Sequence, residues 1–566
     1  MCIFALSNTV KMKRNLLTLL LVALATVTFA QKPRHLRVLD YVPDSCYSLS
    51  IVNLDTLARV FELEAMHRDN LLQTLYDSVK PSRKIVQSWI KRDNKTGVDF
   101  TATAAFVDSR YVLLPLNNER NFEKMIRSLD KSVPPFVTMT DPNGRKIRCM
   151  SLEDLDITAV VICTEDVACF ALLTDLNAVY SAMMSGDYDL GYSWQESPMQ
   201  VWTRLSRSQF AKSGVAAAMM EKGWNSYTTY NQSNYFRYFD DILFNEIGLP
   251  YGELQKTFGQ IELEAFSKGD VFQDRITAYS EYQLHNVPAD FQSLKSSPES
   301  LKKLMPYVSG DYLMLAISSL EGFGDLAKPF MDGLPQWQEV APLMNKPFVF
   351  TASSLDEVTM QVVTLVDHPE EVRGMLERYV EISNHIADSI RKIVVTEWEY
   401  PEEVVEIETP DTTELIYPFP FVEAEDSSLN MKILTYKKLG GWDTYIITTK
   451  KRSFDYETYA YVVRDDSVCV FVKDNLLLYS KGLGTLGSLS QPFEHEWPSE
   501  CFEHPIYARA DFDALVPLFG PDAATPVRDM VCYTDEGTFT MNFNAVPGLR
   551  HGIIYEMVKY LIDVIK

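Results

Sequence analysis

With 566 residues, 46% of them hydrophobic and 23% charged, the chain has the composition of a globular protein and length for two to four domains of roughly 100 to 200 residues each. A formal net charge of -24 repels phosphate backbones and anionic lipid surfaces, and no local run of Lys and Arg reverses that field, so nucleic acid is excluded as a partner. Beyond its N-terminal region the sequence has no apolar run long enough to cross a bilayer, so no integral membrane segment is expected after processing.

The N-terminal region reads as an address. Lys13 and Arg14 precede an apolar run from Leu16 to Phe29, and Thr28-Phe29-Ala30 stands before Gln31. That is the layout of a secretory signal peptide over 1–30, with Met12 as the expected start and cleavage expected after Ala30. The mature chain is expected in the periplasm or outside the cell. The first cysteine after the apolar run is Cys46, too far downstream for lipid attachment. Cys46, Cys149, Cys163, Cys169, Cys469, Cys501 and Cys532 follow the cleavage site. Their odd number and loose spacing do not form a disulfide framework, and Cys163 and Cys169 read as small buried residues of one hairpin.

From Tyr41 onward a strand, a helix, a strand pair, a helix and a hairpin follow one another, and the order returns later in the chain. The stretch Tyr41 to Leu54 lies without a gap over Tyr307 to Leu320. Phe100-Thr101-Ala102-Thr103 lies over Phe350-Thr351-Ala352-Ser353, in a register that continues to Met125 and Met375. Asp166 to Cys169 lies over Asp466 to Cys469, and Gly269 answers Gly537. Length differences between these matches fall where surface loops absorb them cheaply. The expected architecture is two related α+β units in tandem, 31–295 and 296–566, mainly of antiparallel sheets with packed helices, the second carrying an acidic insertion at 397–426. Strands in hairpins joined by short turns such as Val107-Asp108-Ser109-Arg110 argue against a parallel doubly wound sheet. With its signal peptide, Tyr41 to Leu57 and the echo at Tyr307 to Phe323, the chain resembles a family of uncharacterised exported proteins of Gram-negative anaerobic bacteria. The resemblance implies the repeated α+β unit and brings no activity or site residue with it.

Four stretches invite a chemical reading. Trp224 to Phe236 interleaves aromatic rings with amides, as sugar recognition requires, and Trp224, Tyr227 and Tyr230 are the candidate ligand-binding residues. From Glu397 to Asp426 acidic residues recur with no Lys or Arg. Without the glycine and fixed ligand steps of a calcium loop, that segment reads as a solvated excursion or long hairpin, or as a protein contact. Gly482-Leu483-Gly484-Thr485-Leu486-Gly487 spells a dinucleotide fingerprint but runs into Ser488 to Pro492 with no helix to receive a pyrophosphate. His495, Cys501 and His504 lie close together among carboxylates, yet their spacing fits no known zinc signature, and no metal or cofactor is expected. No Gly-x-Ser-x-Gly elbow occurs, so no catalytic residue is assigned. In the last segment Ile554, Val558, Leu561 and Ile565 share one helical face that closes a core. The reading is a non-enzymatic binding or scaffold protein of the cell envelope, with an envelope protein or a glycan as ligand. The alternative is an envelope hydrolase acting on glycan or peptide between the repeats.

Overall fold

A computed structural model describes residues 37–565 except 79–81, 109, 129–133, 142–143, 155–156, 173–196, 232–260, 288–293, 309–311, 323–344, 353–359, 398–406, 410–411, 415–429, 456–459, 482–495 and 513–524. The expected signal peptide, the Gly482–Gly487 motif, His495 and most of the acidic insertion lie outside the described residues. The described residues form two compact units, one lying within Met1–Asp241, Phe258–Val287 and Arg509–Lys566, the other within Pro288–Ala508. The C-terminal stretch, expected to close the second unit, thus belongs to the first. Both units combine helices with antiparallel strands, the expected α+β class.

In chain order the first unit runs through β1 (Ser48–Asn53), α1 (Leu54–Val60), α2 (Leu63–Arg68), α3 (Gln73–Ser78), α4 (Ser82–Lys91), β2 (Thr103–Val107), β3 (Tyr111–Pro115) and α5 (Glu119–Arg127). It continues with β4 (Val137–Thr140), β5 (Lys146–Asp154), β6 (Ile157–Cys163), β7 (Val167–Leu172), α6 (Pro198–Ser206), α7 (Gly214–Lys222), β8 (Ser226–Asn231), β9 (Glu262–Val271) and β10 (Arg275–His285). Then come β11 (Lys295–Ser296), α8 (Pro298–Leu304), β12 (Met314–Ser318), β13 (Leu320–Glu321), β14 (Phe348–Ala352), β15 (Met360–Leu365), α9 (Val372–Glu397), β16 (Ile407–Thr409) and β17 (Thr412–Glu414). After these follow β18 (Lys432–Leu439), β19 (Trp442–Asp455), β20 (Ala460–Lys473), β21 (Leu476–Lys481), α10 (Glu500–Glu503) and β22 (Ile506–Asp511), within which the unit boundary falls. The first unit is completed by β23 (Val527–Asp535), β24 (Thr538–Ala545) and α11 (Ile553–Ile565).

Helix starts follow local chemistry. Asn53 and Asn118 each accept a backbone N–H three residues on, at 2.9 Å, at the first turns of α1 and α5. Ser197 and Gln200 form a reciprocal capping box ahead of Pro198 at α6.

The ladder of the first unit runs β4-β5-β6-β7-β3-β2-β1-β8-β9-β10-β24-β23, antiparallel throughout. Helices cover both faces of its central strands. Leu49, Ile51, Leu113, Val160 and Ile162 pack on one side with Trp202 of α6 and Met219 of α7. Ala104, Val161, Cys163 and Ala168 pack on the other with Phe122, Met125 and Ile126 of α5. Double coverage explains why β6 reads as a continuous apolar run, Ala159 to Cys163, where a one-sided sheet would alternate. Cys163 and Cys169 are buried and free, as their hairpin position predicts. At the far end Ile276, Val527, Ala545, Ile553 and Ile554 form a separate cluster on which Val558 packs, so α11 closes a core as its periodicity predicts.

The ladder of the second unit runs β18-β19-β20-β21-β15-β14-β12. In chain order and pairing it retraces β4-β5-β6-β7-β3-β2-β1. β1 and β12 are also approached alike: a 3-10 turn ends at Tyr41 in one case and Tyr307 in the other, followed by fully buried Val42 and Val308. Three of the sequence matches do not fall on corresponding strands. Phe100 precedes β2 whereas Phe350 lies inside β14, Asp166–Cys169 opens β7 whereas Asp466–Cys469 lies inside β20, and Gly269 sits within β9 whereas Gly537 is the turn after β23. Short alternating strands resemble one another whatever their place in a sheet, and only the pairing distinguishes them. The register linking Met125 to Met375 does fall on corresponding elements, β3 and α5 against β15 and α9.

Candidate functional site

A pocket of about 330 Å³ opens on the first unit among α1, α2 and α4, at the small end of the range that takes small ligands. Ala58, Leu63 and Ile90 give it an apolar wall with the side of Trp89. The indole is fixed, stacked 5.4 Å from Phe100 and donating its N–H to the Leu54 carbonyl at 2.9 Å. Arg59, Arg68 and Arg92 bring guanidinium groups to the rim, with Asp55, Glu62 and Glu64 among them. Asp55 is held between two of the arginines, Arg92 Nε at 2.6 Å and Arg59 Nε at 3.5 Å.

Glu62 braces the pocket from behind. It follows α1 in left-handed backbone, φ 47°, and reaches a loop almost the whole chain length away. Its Oε2 accepts from His551 Nδ1 at 2.7 Å, and its Oε1 accepts from the backbone N–H of Gly552 at 2.6 Å. A side chain at 552 would press a Cβ to 3.1 Å from that oxygen. His551 stacks on Tyr555 at 4.0 Å, and the Tyr555 hydroxyl donates to Asp69 Oδ2 at 2.7 Å. Burial, reinforced by the Asp69 carboxylate, pushes the Tyr555 phenol up to about 12, while the same hydrogen bond holds Asp69 below the usual carboxylate range. Neutral tyrosine and ionised aspartate are thus the stable pair.

A second feature lies on β18, the outermost strand of the other ladder among the described residues. From Thr435 to Leu439 every residue of β18 is exposed, and Ile433, Tyr436 and Leu439 are large apolar side chains in water. At its start Lys432 donates its N–H to Asn384 Oδ1 (2.7 Å), and its carbonyl accepts from Asn384 Nδ2 (2.9 Å). The amide of α9 therefore takes both backbone groups of Lys432, which face away from β19. By alternation along an antiparallel ladder, those of Leu434, Tyr436 and Lys438 face away too. Gly440 and Gly441, both at positive φ, close the hairpin with the Leu439–Trp442 pair in the register this requires.

The candidate sugar-binding rings fall elsewhere. Trp224 and Tyr227 are buried in the core of the first unit. The Trp224 indole stacks on Tyr279 at 5.8 Å and Tyr227 packs on Phe266 at 5.1 Å, so the faces a pyranose would need are covered by neighbouring strands. Tyr230 lies on β8 between them and the end of the strand. Of the metal candidates Cys501 is fully buried, and among the described residues the one group of ligand atoms close enough to share an ion is His368, Glu370 and Glu371, all exposed. One sequence signal marks the pocket: charged Glu62 and Arg92 stand just past helices, where glycine is the usual residue. Comparison with protein-family models, with curated proteins and with solved structures finds no match to the chain.

Proposed function

We propose that this is an exported envelope protein that acts by binding, with a protein partner adding a strand to the edge of β18 that no described strand pairs with. The observation that carries the reading is the Asn384 amide seated on Lys432. A side-chain amide offers the same donor and acceptor pair as a peptide group, so the first step of strand addition is already mimicked within the chain. Beyond it, the outward backbone groups of Leu434, Tyr436 and Lys438 supply the ladder, and exposed Ile433, Tyr436 and Leu439 supply side-chain contact. Lys437 and Lys438 give this edge a positive character within an acidic chain, favouring an acidic partner strand.

The two ladders support a further part of the reading, that the units arose by duplication of one α+β element and that the acidic insertion was added to the second. Export is tested by N-terminal sequencing of the protein recovered from cells, with Gln31 as the expected first residue. Partner addition is tested with Lys438→Pro, which removes an outward N–H and leaves the backbone ladder to β19 intact, at the loss of one exposed 3.6 Å ion pair to Asp443. Envelope proteins retained by the wild-type mature chain should be lost from the variant at unchanged melting temperature. Equal retention by both chains rules the β18 edge out.

A further inference from the structure

We propose that the pocket among α1, α2 and α4 binds a small organic molecule through its carboxylate or phosphate group, a site independent of the β18 edge. The first argument is a count of donors. Two of the lining carboxylates, and Asp69 behind them, have both oxygens occupied: Asp55 by Arg92 and Arg59, Glu62 by His551 and Gly552, and Asp69 by Arg68 at 3.3 Å and Tyr555. A guanidinium carries five N–H donors in a fixed fork. Arg68 Nε meets Asp69 and the side chain is otherwise 69% exposed, and Arg92 spends Nε and one Nη on Asp55 and is 53% exposed. What remains at the rim is donor capacity, the complement of an oxyanion. Glu64 also lines the rim and is exposed, and the apolar wall of Ala58, Leu63, Ile90 and Trp89 fits a non-polar body behind the anionic group.

The second argument is independent of charge. Among the described residues, the non-glycine positions at positive φ are Glu62, Asn70, Arg92, Asp108, Asn286, Asn430 and Asp474. Asn and Asp tolerate left-handed backbone because their short polar side chains bond locally. Glu62 and Arg92 have no such excuse, and both line this one pocket. Glu62 follows Phe61, the C-cap of α1, and starts α2, while Arg92 follows the last residue of α4, positions where glycine would fit without strain. Strain held at two such positions and converging on one concavity marks a place where the side chains themselves are required. Glu62 fixes the wall, and Arg92 presents its fork.

Titration calorimetry of the full mature chain with benzoate, acetate and inorganic phosphate, at ionic strength matched with chloride, tests the site. Saturable binding of benzoate above acetate assigns an organic carboxylate, and saturable binding of phosphate assigns a phosphoryl group. Arg68→Gln, on an exposed side chain, should weaken the bound probe about tenfold, the loss of one charge-assisted contact. Arg92→Gly should abolish binding with little change in melting temperature, since relief of the left-handed backbone offsets the loss of the half-exposed Arg92–Asp55 pair. Absence of saturable binding by all three probes at millimolar concentration overturns the proposal. So does binding that both variants leave unchanged.

Discussion

Gly97 holds φ +79° against the start of α5, where its carbonyl accepts from the N–H groups of Asn117 and Asn118. A Cβ there would lie 2.2 Å from the Asn118 carbonyl oxygen and 2.3 Å from the Phe122 nitrogen, both backbone atoms that cannot swing aside. Gly97→Ala should therefore destabilise the first unit by about 3 kcal/mol or more, by steric displacement added to left-handed strain, read from the urea midpoint. Ionisation gives a second residue-level expectation. Burial first, then Glu264, pushes the Tyr227 phenol up to about 12, and Tyr555 stands equally high. A raised phenol contributes stability in full below the ordinary value of 10.0, and the contribution is lost as pH rises through about 12. Unfolding free energy should fall across that window by about 1 to 3 kcal/mol for each of the two, and Tyr227→Phe with Tyr555→Phe should flatten the profile. These burials were not legible at the residue scale. An aromatic stretch interleaved with amides has one composition whether its rings face water or a sheet, and what covers Trp224 and Tyr227 is contributed by β9 and β10, 55 and 39 residues further along for Tyr279 and Phe266.

At the scale of elements, α9 and β18 are joined by the Asn384 amide and by Arg373 over Tyr436 and Lys432 over Tyr379, and among the described strands β18 pairs with β19 alone. Asn384→Ala leaves the first backbone pair of β18 to water, at a cost of about 1 kcal/mol, while Leu434 keeps its place beside Tyr445 and Val470. Amide hydrogen exchange at Lys432 should accelerate and exchange at Ile447, inside β19, should not. An unchanged Lys432 rate would mean that the amide does not hold the edge. Elements were the most legible level of this chain. The hairpin after Val107, the paired strands around Thr164 and the apolar face of α11 follow from turn residues and periodicity alone. Register between the units was not, because Cys169 and Cys469 sit in equally apolar strands whose partners differ, and partner choice is settled by contacts distant in sequence.

At the scale of the molecule, the first unit is not finished until its last residues return. β10 pairs along seven positions, Arg275 to Glu281, with β24, and Ile276 packs with Ile553 and Ile554. Burying each isoleucine is worth about 2 kcal/mol, and the Glu62 brace to His551 and Gly552 lies in the same segment. A boundary read from sequence at 296 makes the N-terminal part complete in itself. The packing makes it dependent on Arg509–Lys566, a dependence invisible locally because β24 reads the same whichever strand it will join. A chain ending at Ala508 should therefore lose cooperative unfolding of the first unit and expose apolar surface to dye, whereas residues Pro288–Ala508 keep their own ladder, β18 to β12. Supplying 509–566 in trans should restore the transition, since the truncated chain lacks only a segment whose partners are already in place. If the shortened chain unfolds as sharply as the full one, β10 and Glu62 do not need what they bind, and the return of the C terminus is an ornament on a unit stable without it.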